Sequence, residues 1–306
     1  MPSDSDTAQG RTTGATVLGL GAVALWAVLA ALTALAGQIP PFQLAAMTFT
    51  IGSLVGLAWA ALTGQSLAAL RTVPIGQWAL GIYGLLAFHV CYFFALQNAP
   101  ALEASLIIYL WPLLIVLFSG LLPARIGGRR LTGWHIGGAA LGFAGTVLIL
   151  TASGRGALSF DGSAAGYALA LAAAIIWASY SVASRLYAAV PSVAVIGSCV
   201  ATAMGAAVLH IATEAWRWPA DATAWAAIAG LGLGPVGLAF YLWDEGMKRG
   251  EMRLLGVASY ATPVVSTLVL AVLGLGTATT RLWLAAALIA GGALLASRDV
   301  LWPSGK

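Results

Sequence analysis

Long apolar runs separated by short polar breaks account for most of the chain. Each run approaches or exceeds the roughly 20 residues that a helix needs to cross a hydrocarbon core of about 30 Å. The runs are continuous rather than alternating, which argues against membrane-spanning strands. The pattern therefore predicts an all-α polytopic membrane protein with ten transmembrane helices, at residues 14–36, 41–63, 75–98, 101–122, 131–151, 162–186, 191–212, 222–248, 251–274 and 279–298.

An internal repeat underlies this pattern. A single offset of 151 residues brings together residues at corresponding places in corresponding runs: Trp26 with Trp177, Pro40 with Pro191, Tyr109 with Tyr260 and Pro112 with Pro263. Each copy would hold five spans, and an odd number makes the second copy enter the membrane from the opposite face. The sequence therefore predicts two inverted five-helix repeats around a central cavity, an arrangement common among secondary transporters.

The basic residues predict which face is which. Eleven of the fourteen would share the side of both termini, and only Arg155, Arg217 and Arg281 would face the other side. Cytoplasmic loops carry the excess of Lys and Arg, so both termini are predicted to be cytoplasmic. The resulting division of the chain is a cytoplasmic N-terminal tail 1–13, a first repeat 14–151, a periplasmic linker 152–161, a second repeat 162–298 and a cytoplasmic C-terminal tail 299–306.

Composition supports lipid as the main solvent. Of 306 residues, 60% are apolar and 8% are charged, against about 25% charged residues in soluble domains. The net charge of +4 belongs to loops between spans, so it indicates topology and membrane lipid rather than a nucleic acid partner. Cys91 and Cys199 both lie within apolar runs, which makes a disulfide framework improbable.

Three ionisable residues at or near membrane depth are candidates for function, because such residues are costly there. His89 could be a neutral imidazole bonded to a neighbouring helix, a donor in a binding pocket or a proton-linked switch. Glu103 could stabilise a helix N-terminus or attract substrate at an outer gate. Asp244 is placed to pair with Lys248 four residues later, near the cytoplasmic surface, and a coupling role is the alternative.

Aromatic residues and prolines give the clearest indication of a cavity. Several Trp and Tyr residues fall well inside predicted spans instead of in the interfacial belts that they favour. Pro112 and Pro263 interrupt helices at equivalent depth, which is a sequence indication of a transport site. The deep aromatic residues are Trp26, Tyr83, Tyr92, Tyr109, Trp111, Trp177, Tyr180, Trp243 and Tyr260.

No motif indicates an enzyme. The chain offers neither a Gly-rich phosphate loop, nor His and Cys residues at metal-binding spacing, nor a nucleophile with a base partner, so no catalytic residue, metal or cofactor is predicted. Glycines four residues apart, such as Gly138 and Gly142, indicate close helix packing. Packing within one chain is the simpler interpretation, so a monomer is favoured over a dimer.

Three segments resemble the drug/metabolite transporter superfamily, of the EamA type: LEASLIIYLWPLLIVLF, IIWASYSVAS and LAFYLWDEGMKRGEMRLLGVASYATPVVSTLVLAVL. Within it, they are similar to the bacterial aromatic amino acid exporters. The resemblance implies an exporter in the bacterial inner membrane whose cavity is bounded by spans one, three, four, six, eight and nine. Its motifs carry over to Tyr109, Trp111, Pro112, Trp177, Ser179, Tyr180, Ser259, Tyr260 and Pro263, and by position to Trp26, His89, Tyr92 and Trp243.

The combined expectation is a secondary exporter of aromatic and other neutral amino acids that works by alternating access. Other small metabolites or amphipathic drugs are the alternative substrates, and a non-transporting membrane sensor is the alternative class. A phosphate-bearing substrate is disfavoured, because all basic residues lie at or near span ends. Proton exchange through His89 or Glu103 and facilitated diffusion are both open as the driving force.

Overall fold

A computed structural model describes residues 4–126, 131–152, 163–274 and 279–296. Within these ranges the chain forms helices and connecting turns, with no strand. Eight helical segments are long and apolar enough to cross a membrane: 9–36, 41–63, 75–98, 101–119, 164–187, 192–213, 222–249 and 252–272. Two further apolar helices, Gly133–Ala152 and Thr280–Ala296, lie where the fifth and tenth spans are predicted.

The helices are numbered α1 to α15 in chain order. In the first half they are α1 Asp4–Ala27, α2 Leu29–Ala36, α3 Pro41–Thr63, α4 Ile75–Ile82, α5 Phe88–Asn98, α6 Ala101–Ile108, α7 Trp111–Ser119 and α8 Gly133–Ala152. In the second half they are α9 Ala164–Ala183, α10 Val195–Thr213, α11 Ala222–Leu233, α12 Ala239–Arg249, α13 Met252–Ala258, α14 Ala261–Val272 and α15 Thr280–Ala296. Helix α1 begins at Asp4, inside the predicted tail 1–13. The predicted linker from residue 153 onward and the tail 299–306 lie outside the described residues.

The 151-residue offset recurs in the helix boundaries. Helices α5 and α12 cover 88–98 and 239–249, and each follows a π-helical turn, at 83–87 and 234–238 respectively. The π-helical turns join α4 to α5 and α11 to α12. The sequence repeat is therefore also a repeat of local structure, including its irregular turns.

Proline explains why the fourth and ninth predicted spans are each two helices. Pro112 has no amide hydrogen, and its ring clashes with the carbonyl four residues earlier, at Ile108. Helix α6 ends at Ile108, and α7 begins at Trp111. Pro263 has the same relation to Ser259, and α13 ends one residue earlier, at Ala258. The two breaks are at 109–110 and 259–260.

Helices from the two halves pack against each other in opposite directions. Along α8 and α15, Gly138 lies beside Gly292 and Ala296, whereas Gly145 lies beside Ala285. A rising residue number in α8 therefore meets a falling one in α15, so these two helices, which correspond in the repeat, are antiparallel. Helix α1 likewise runs antiparallel to α12, since Thr16 lies beside Gly250 and Gly21 beside Leu242, in α12. The glycine faces predicted from the sequence are filled by helices of the same chain.

The two ends of the bundle are packed differently. At one end, named here the Asp244 end, α13 packs on α7, the Glu251 amide donates to Thr16 Oγ1 at 2.9 Å and Arg253 Nε donates to Ser119 Oγ at 3.0 Å. At the other, the Glu214 end, the corresponding pair α6 and α14 shows no comparable packing among the described residues. The halves are therefore joined more tightly between helices α7 and α13 than between α6 and α14.

Candidate substrate site

Four tryptophans from four different helices meet at the centre of the bundle. Trp26 of α1, Trp111 of α7, Trp177 of α9 and Trp243 of α12 are all mutual neighbours, with ring centroids 5.0 to 6.3 Å apart. Such distances and the mostly edge-on or tilted geometry are those of favourable aromatic pairs. The sequence predicted all four as cavity residues, and the structure brings them together in one tryptophan cluster.

Phenylalanines and a histidine extend the tryptophan cluster. Phe240 lies 5.9 Å from Trp177 and stacks on Phe49 at 5.5 Å. His89 lies 4.9 Å from the Phe49 ring and 5.1 Å from Phe88. His89 and Phe240 are equivalent in the repeat. The sequence predicted His89 as a site residue but not Phe49, Phe88 or Phe240, although the 151-residue offset from His89 leads to Phe240.

The four indole N–H groups are of two kinds. Trp26 Nε1 donates to the Pro235 carbonyl and Trp243 Nε1 donates to Ser181 Oγ, each at 3.0 Å. Trp111 and Trp177 form no hydrogen bond with a described residue. Buried polar groups normally have partners, so these two indole donors differ from those of Trp26 and Trp243.

Three more polar groups, two on α5 and one at the helix break two residues before Trp111, lack a hydrogen-bond partner among the described residues. They are His89 Nε2 and the hydroxyls of Tyr92 and Tyr109. His89 Nδ1 is held by the Leu85 carbonyl at 2.7 Å, which fixes the ring, and Tyr92 stacks on Phe88 at 5.7 Å. The arrangement offers apolar ring faces together with a few hydrogen-bonding groups, as small-molecule sites usually do.

Tyr260 and Ser259 lie apart from the tryptophan cluster. Tyr260 is fully buried, its hydroxyl accepts a hydrogen bond from the Leu113 amide at 3.1 Å, and its ring lies 6.3 Å from Phe143. Ser259 is also fully buried, and its hydroxyl donates to the Leu255 carbonyl. Both side chains are occupied by contacts within the protein.

Tyr83 and Ser179 bond to each other rather than to the centre. Their hydroxyls are 3.0 Å apart, and Tyr83 is 37% exposed, on the outside of the bundle. Tyr180 is buried, with its ring 5.4 Å from Trp177 and packed directly on Gly84. Of these three predicted cavity residues, only Tyr180 adjoins the tryptophan cluster.

The predicted pairing of Asp244 with Lys248 is present, at 2.8 Å, and both residues are buried within the protein, each only 1% exposed. Ser192 Oγ donates to Asp244 at 2.5 Å and is 2.8 Å from Glu245, which pairs with Arg249. Buried charges persist when they are paired and hydrogen-bonded. These contacts tie the α9–α10 connection to α12 at the Asp244 end.

Glu103 lies in the first turn of α6 and is 3% exposed. Pro112 and Pro263 are buried at the starts of α7 and α14. Within the described residues, no group of three or more His, Cys, Asp or Glu side chains could hold a metal ion.

Fold and site together define a polytopic helical membrane protein built from a duplicated unit around an aromatic centre. The chain belongs to the EamA-like transporter family, whose model matches residues 13–151 and again 164–298. The resemblance read from the sequence motifs is thereby confirmed. The two matched ranges begin 151 residues apart, at the offset found in the sequence.

Close relatives cover nearly the whole chain. The aromatic amino acid exporter YddG of Ancylobacter novellus is 50% identical over 283 residues, which are 92% of this chain and 96% of that protein. The aromatic amino acid exporter YddG of Escherichia coli is 27% identical over the same shares of the two chains. A crystal structure of a protein with 49% sequence identity matches with a TM-score of 0.87, covering 94% of this chain and 98% of that one.

Proposed function

We propose that the protein is a secondary exporter of amino acids, with aromatic ones as its main substrates and other neutral ones as further cargo. The observation that carries the proposal is the tryptophan cluster with its unused hydrogen-bond donors. Indole and phenyl side chains bury well against aromatic faces. The names of the relatives, which are aromatic amino acid exporters, support the same substrate class.

Ten spans in two inverted repeats are the topology that we propose for this exporter. The eight long helices, with Gly133–Ala152 and Thr280–Ala296 as the fifth and tenth spans, would supply them. Antiparallel packing of α8 on α15 supports inversion, because helices that correspond in inverted repeats run in opposite directions. We propose the bacterial inner membrane as its location, and the distribution of basic residues supports cytoplasmic termini and a cytoplasmic Asp244 end.

Substrate would lie against Trp111 and Trp177, whose indole N–H groups have no partner within the described residues. Its aromatic side chain would stack on these rings, while the hydroxyls of Tyr92 and Tyr109 and the free nitrogen of His89 would bind the ammonium and carboxylate. Tyr260, Ser259, Tyr83 and Ser179 are assigned structural roles, because their polar atoms already bond within the protein.

Flux measurements in liposomes test the proposal. Purified protein would be reconstituted, and the movement of tryptophan, phenylalanine, threonine and a sugar phosphate compared with that in empty liposomes. We expect tryptophan and phenylalanine to move fastest, threonine more slowly and the sugar phosphate not at all. Absence of flux for every amino acid would reject the substrate proposal, and tryptophan binding without flux would favour the sensor instead.

A pH gradient in the same liposomes addresses the driving force. If a proton is exchanged for substrate, the pH gradient alone will drive tryptophan to accumulate against its own concentration gradient. If transport is facilitated diffusion, tryptophan will only equilibrate. His89 and Glu103 remain the proposed coupling residues for the first outcome, and His89→Gln would then abolish accumulation while leaving downhill flux.

A further inference from the structure

Two tyrosines that are equivalent in the repeat have different surroundings. Tyr260, at the break between α13 and α14, is fully buried, and its hydroxyl accepts the Leu113 amide hydrogen at 3.1 Å. Tyr109, at the break between α6 and α7, is only partly buried, and its hydroxyl forms no hydrogen bond with a described residue. The hydroxyl of Tyr260 is therefore hydrogen-bonded, whereas that of Tyr109 has no partner among the described residues.

The hydrogen bond from the Leu113 amide to the Tyr260 hydroxyl joins the two halves where α13 packs on α7, toward the Asp244 end. Leu113 is in the first turn of α7, where backbone amides have no partner within the helix. Tyr260 satisfies one of these amides, and one turn earlier Gly256 packs against Pro112 and Ile115. The Tyr260 hydroxyl therefore stabilises the contact of α13 with α7.

A hydroxyl without a partner lies in the matching first turn of the other half, two residues before Val264, which is the repeat equivalent of Leu113. Thr262 is in the first turn of α14, and its hydroxyl oxygen is buried without a hydrogen bond. An unpaired buried hydroxyl costs about 1–3 kcal/mol, so a state in which it found a partner would be favoured. Repeat symmetry places Tyr109 opposite α14 as Tyr260 now stands opposite α7.

A tryptophan pair shows the same asymmetry independently. Trp26 donates its indole hydrogen to the carbonyl of Pro235, in the π-helical turn 234–238. Trp177, its equivalent, donates to no described residue, although Tyr180, one turn further along α9, packs on Gly84 in the matching turn 83–87. Gly84 corresponds to Pro235, and Trp177 makes no bond to the Gly84 carbonyl like the one from Trp26 to the Pro235 carbonyl.

We propose that Tyr260 and Tyr109 are alternating latches of the transporter. Tyr260 holds α13 on α7 and closes the Asp244 end in the state seen here. When the transporter changes state, Tyr260 releases Leu113, Tyr109 pairs with the Thr262 hydroxyl, and α6 closes on α14 at the Glu214 end. Trp26 and Trp177 exchange their bonds in the same step. The exchange presupposes the alternating-access exporter proposed above.

Distances across the Glu214 end test the exchange directly. Ala101 and Val272 are exposed residues at the ends of α6 and α14, and each would be changed to Cys and spin-labelled in a chain carrying Cys91→Ala and Cys199→Ala. Double electron–electron resonance spectroscopy in lipid nanodiscs then gives the distribution of distances between the two spin labels, and with it the proportions of molecules with a wide and with a narrow separation. Tyr187→Phe serves as the control, because that hydroxyl lies beside Gly76, away from α6, α7, α13 and α14.

The two latch variants should shift the proportions in opposite directions. Loss of one hydrogen bond changes an equilibrium about fivefold. Tyr260→Phe should therefore raise the narrow-to-wide ratio about fivefold, whereas Tyr109→Phe and Thr262→Val should each lower it by about the same factor. The double variant Tyr109→Phe/Thr262→Val should lower it no further than either single change, and Tyr187→Phe should leave it unchanged.

Shifts in the same direction for Tyr109→Phe and Tyr260→Phe, or an unchanged distribution in every variant, would overturn the proposal. If Tyr260→Phe does not fold, Tyr109→Phe, Thr262→Val and their double variant decide it. The distance measurement needs no substrate. A failure of amino acid flux in liposomes would therefore reject the substrate proposal without affecting the result for the latches.

Discussion

The tryptophans at the centre divide by what their indole nitrogens do. Trp26 and Trp243 donate hydrogen bonds to protein groups in the state seen here, which restrains their rings. Trp111 and Trp177 contact each other through their rings, and their N–H groups, which form no hydrogen bond with a described residue, are the ones that we propose bind substrate. Residue identity and position in the repeat predicted the same role for all four tryptophans. Only the hydrogen-bond partners of their indole nitrogens distinguish the two kinds.

Exchange of Trp177 and Trp243 for phenylalanine should separate binding from stability. Trp177→Phe should raise the KM for tryptophan flux roughly fivefold, because one donor to substrate is lost and, in the state seen here, no protein group is left unpaired. Trp243→Phe should instead lower the free energy of unfolding by about 2 kcal/mol, because Ser181 loses its donor and a buried cavity forms. Liposome kinetics and thermal unfolding in detergent measure the two effects. A larger KM change for Trp243→Phe than for Trp177→Phe would contradict this assignment.

At the scale of helices, proline and glycine set the geometry. The prolines at positions 112 and 263 end the helices before them, and the small residues of α8 and α15 allow two backbones to touch. The sequence predicted both the interruptions and the close packing, since each follows from local chemistry. It did not predict the π-helical turns at 83–87 and 234–238, because no single residue type requires them.

Neighbouring glycines of α8 provide a matched test of that packing. A Cβ on Gly138 would lie 2.5 Å from the Gly292 carbonyl oxygen, whereas one on Gly137 would be 3.5 Å from a Leu295 methyl. Gly138→Ala should therefore destabilise the protein by about 2 kcal/mol through forced separation of α8 and α15. Gly137→Ala should stabilise it by about 0.5 kcal/mol through helix propensity. Thermal unfolding of both variants decides, and equal shifts would argue against close contact of the helices.

Across the whole molecule, the arrangement of basic residues sets the proposed orientation. The positively charged loops lie on one side of the predicted spans, and this side includes the buried ion-paired connection at the Asp244 end. Inverted repeats alone would give two similar ends. The membrane-insertion machinery distinguishes the two ends by the positive charge of their loops.

Fusions at the C-terminus test the predicted orientation. Green fluorescent protein attached there should fluoresce in bacterial cells, and alkaline phosphatase at the same position should be inactive, because the former matures in the cytoplasm and the latter outside it. Fusion after Arg217, in the connection between α10 and α11, should give the reverse pair of results. The opposite pattern at either position would invert the proposed topology.

The sequence by itself determined the class of protein, the repeat, the approximate positions of the eight long apolar helices and the choice of the four tryptophans. Those features depend on apolar length, on residue periodicity and on chemistry local to each segment. Only the tertiary structure decided that the Tyr260 hydroxyl is hydrogen-bonded while that of Tyr109 has no partner among the described residues, that Asp244 and Lys248 are buried, and that Phe49 and Phe240 extend the tryptophan cluster. Each of these depends on contacts between segments far apart in the chain, in one conformation of two nearly symmetric halves, and a repeated sequence cannot state which half is closed.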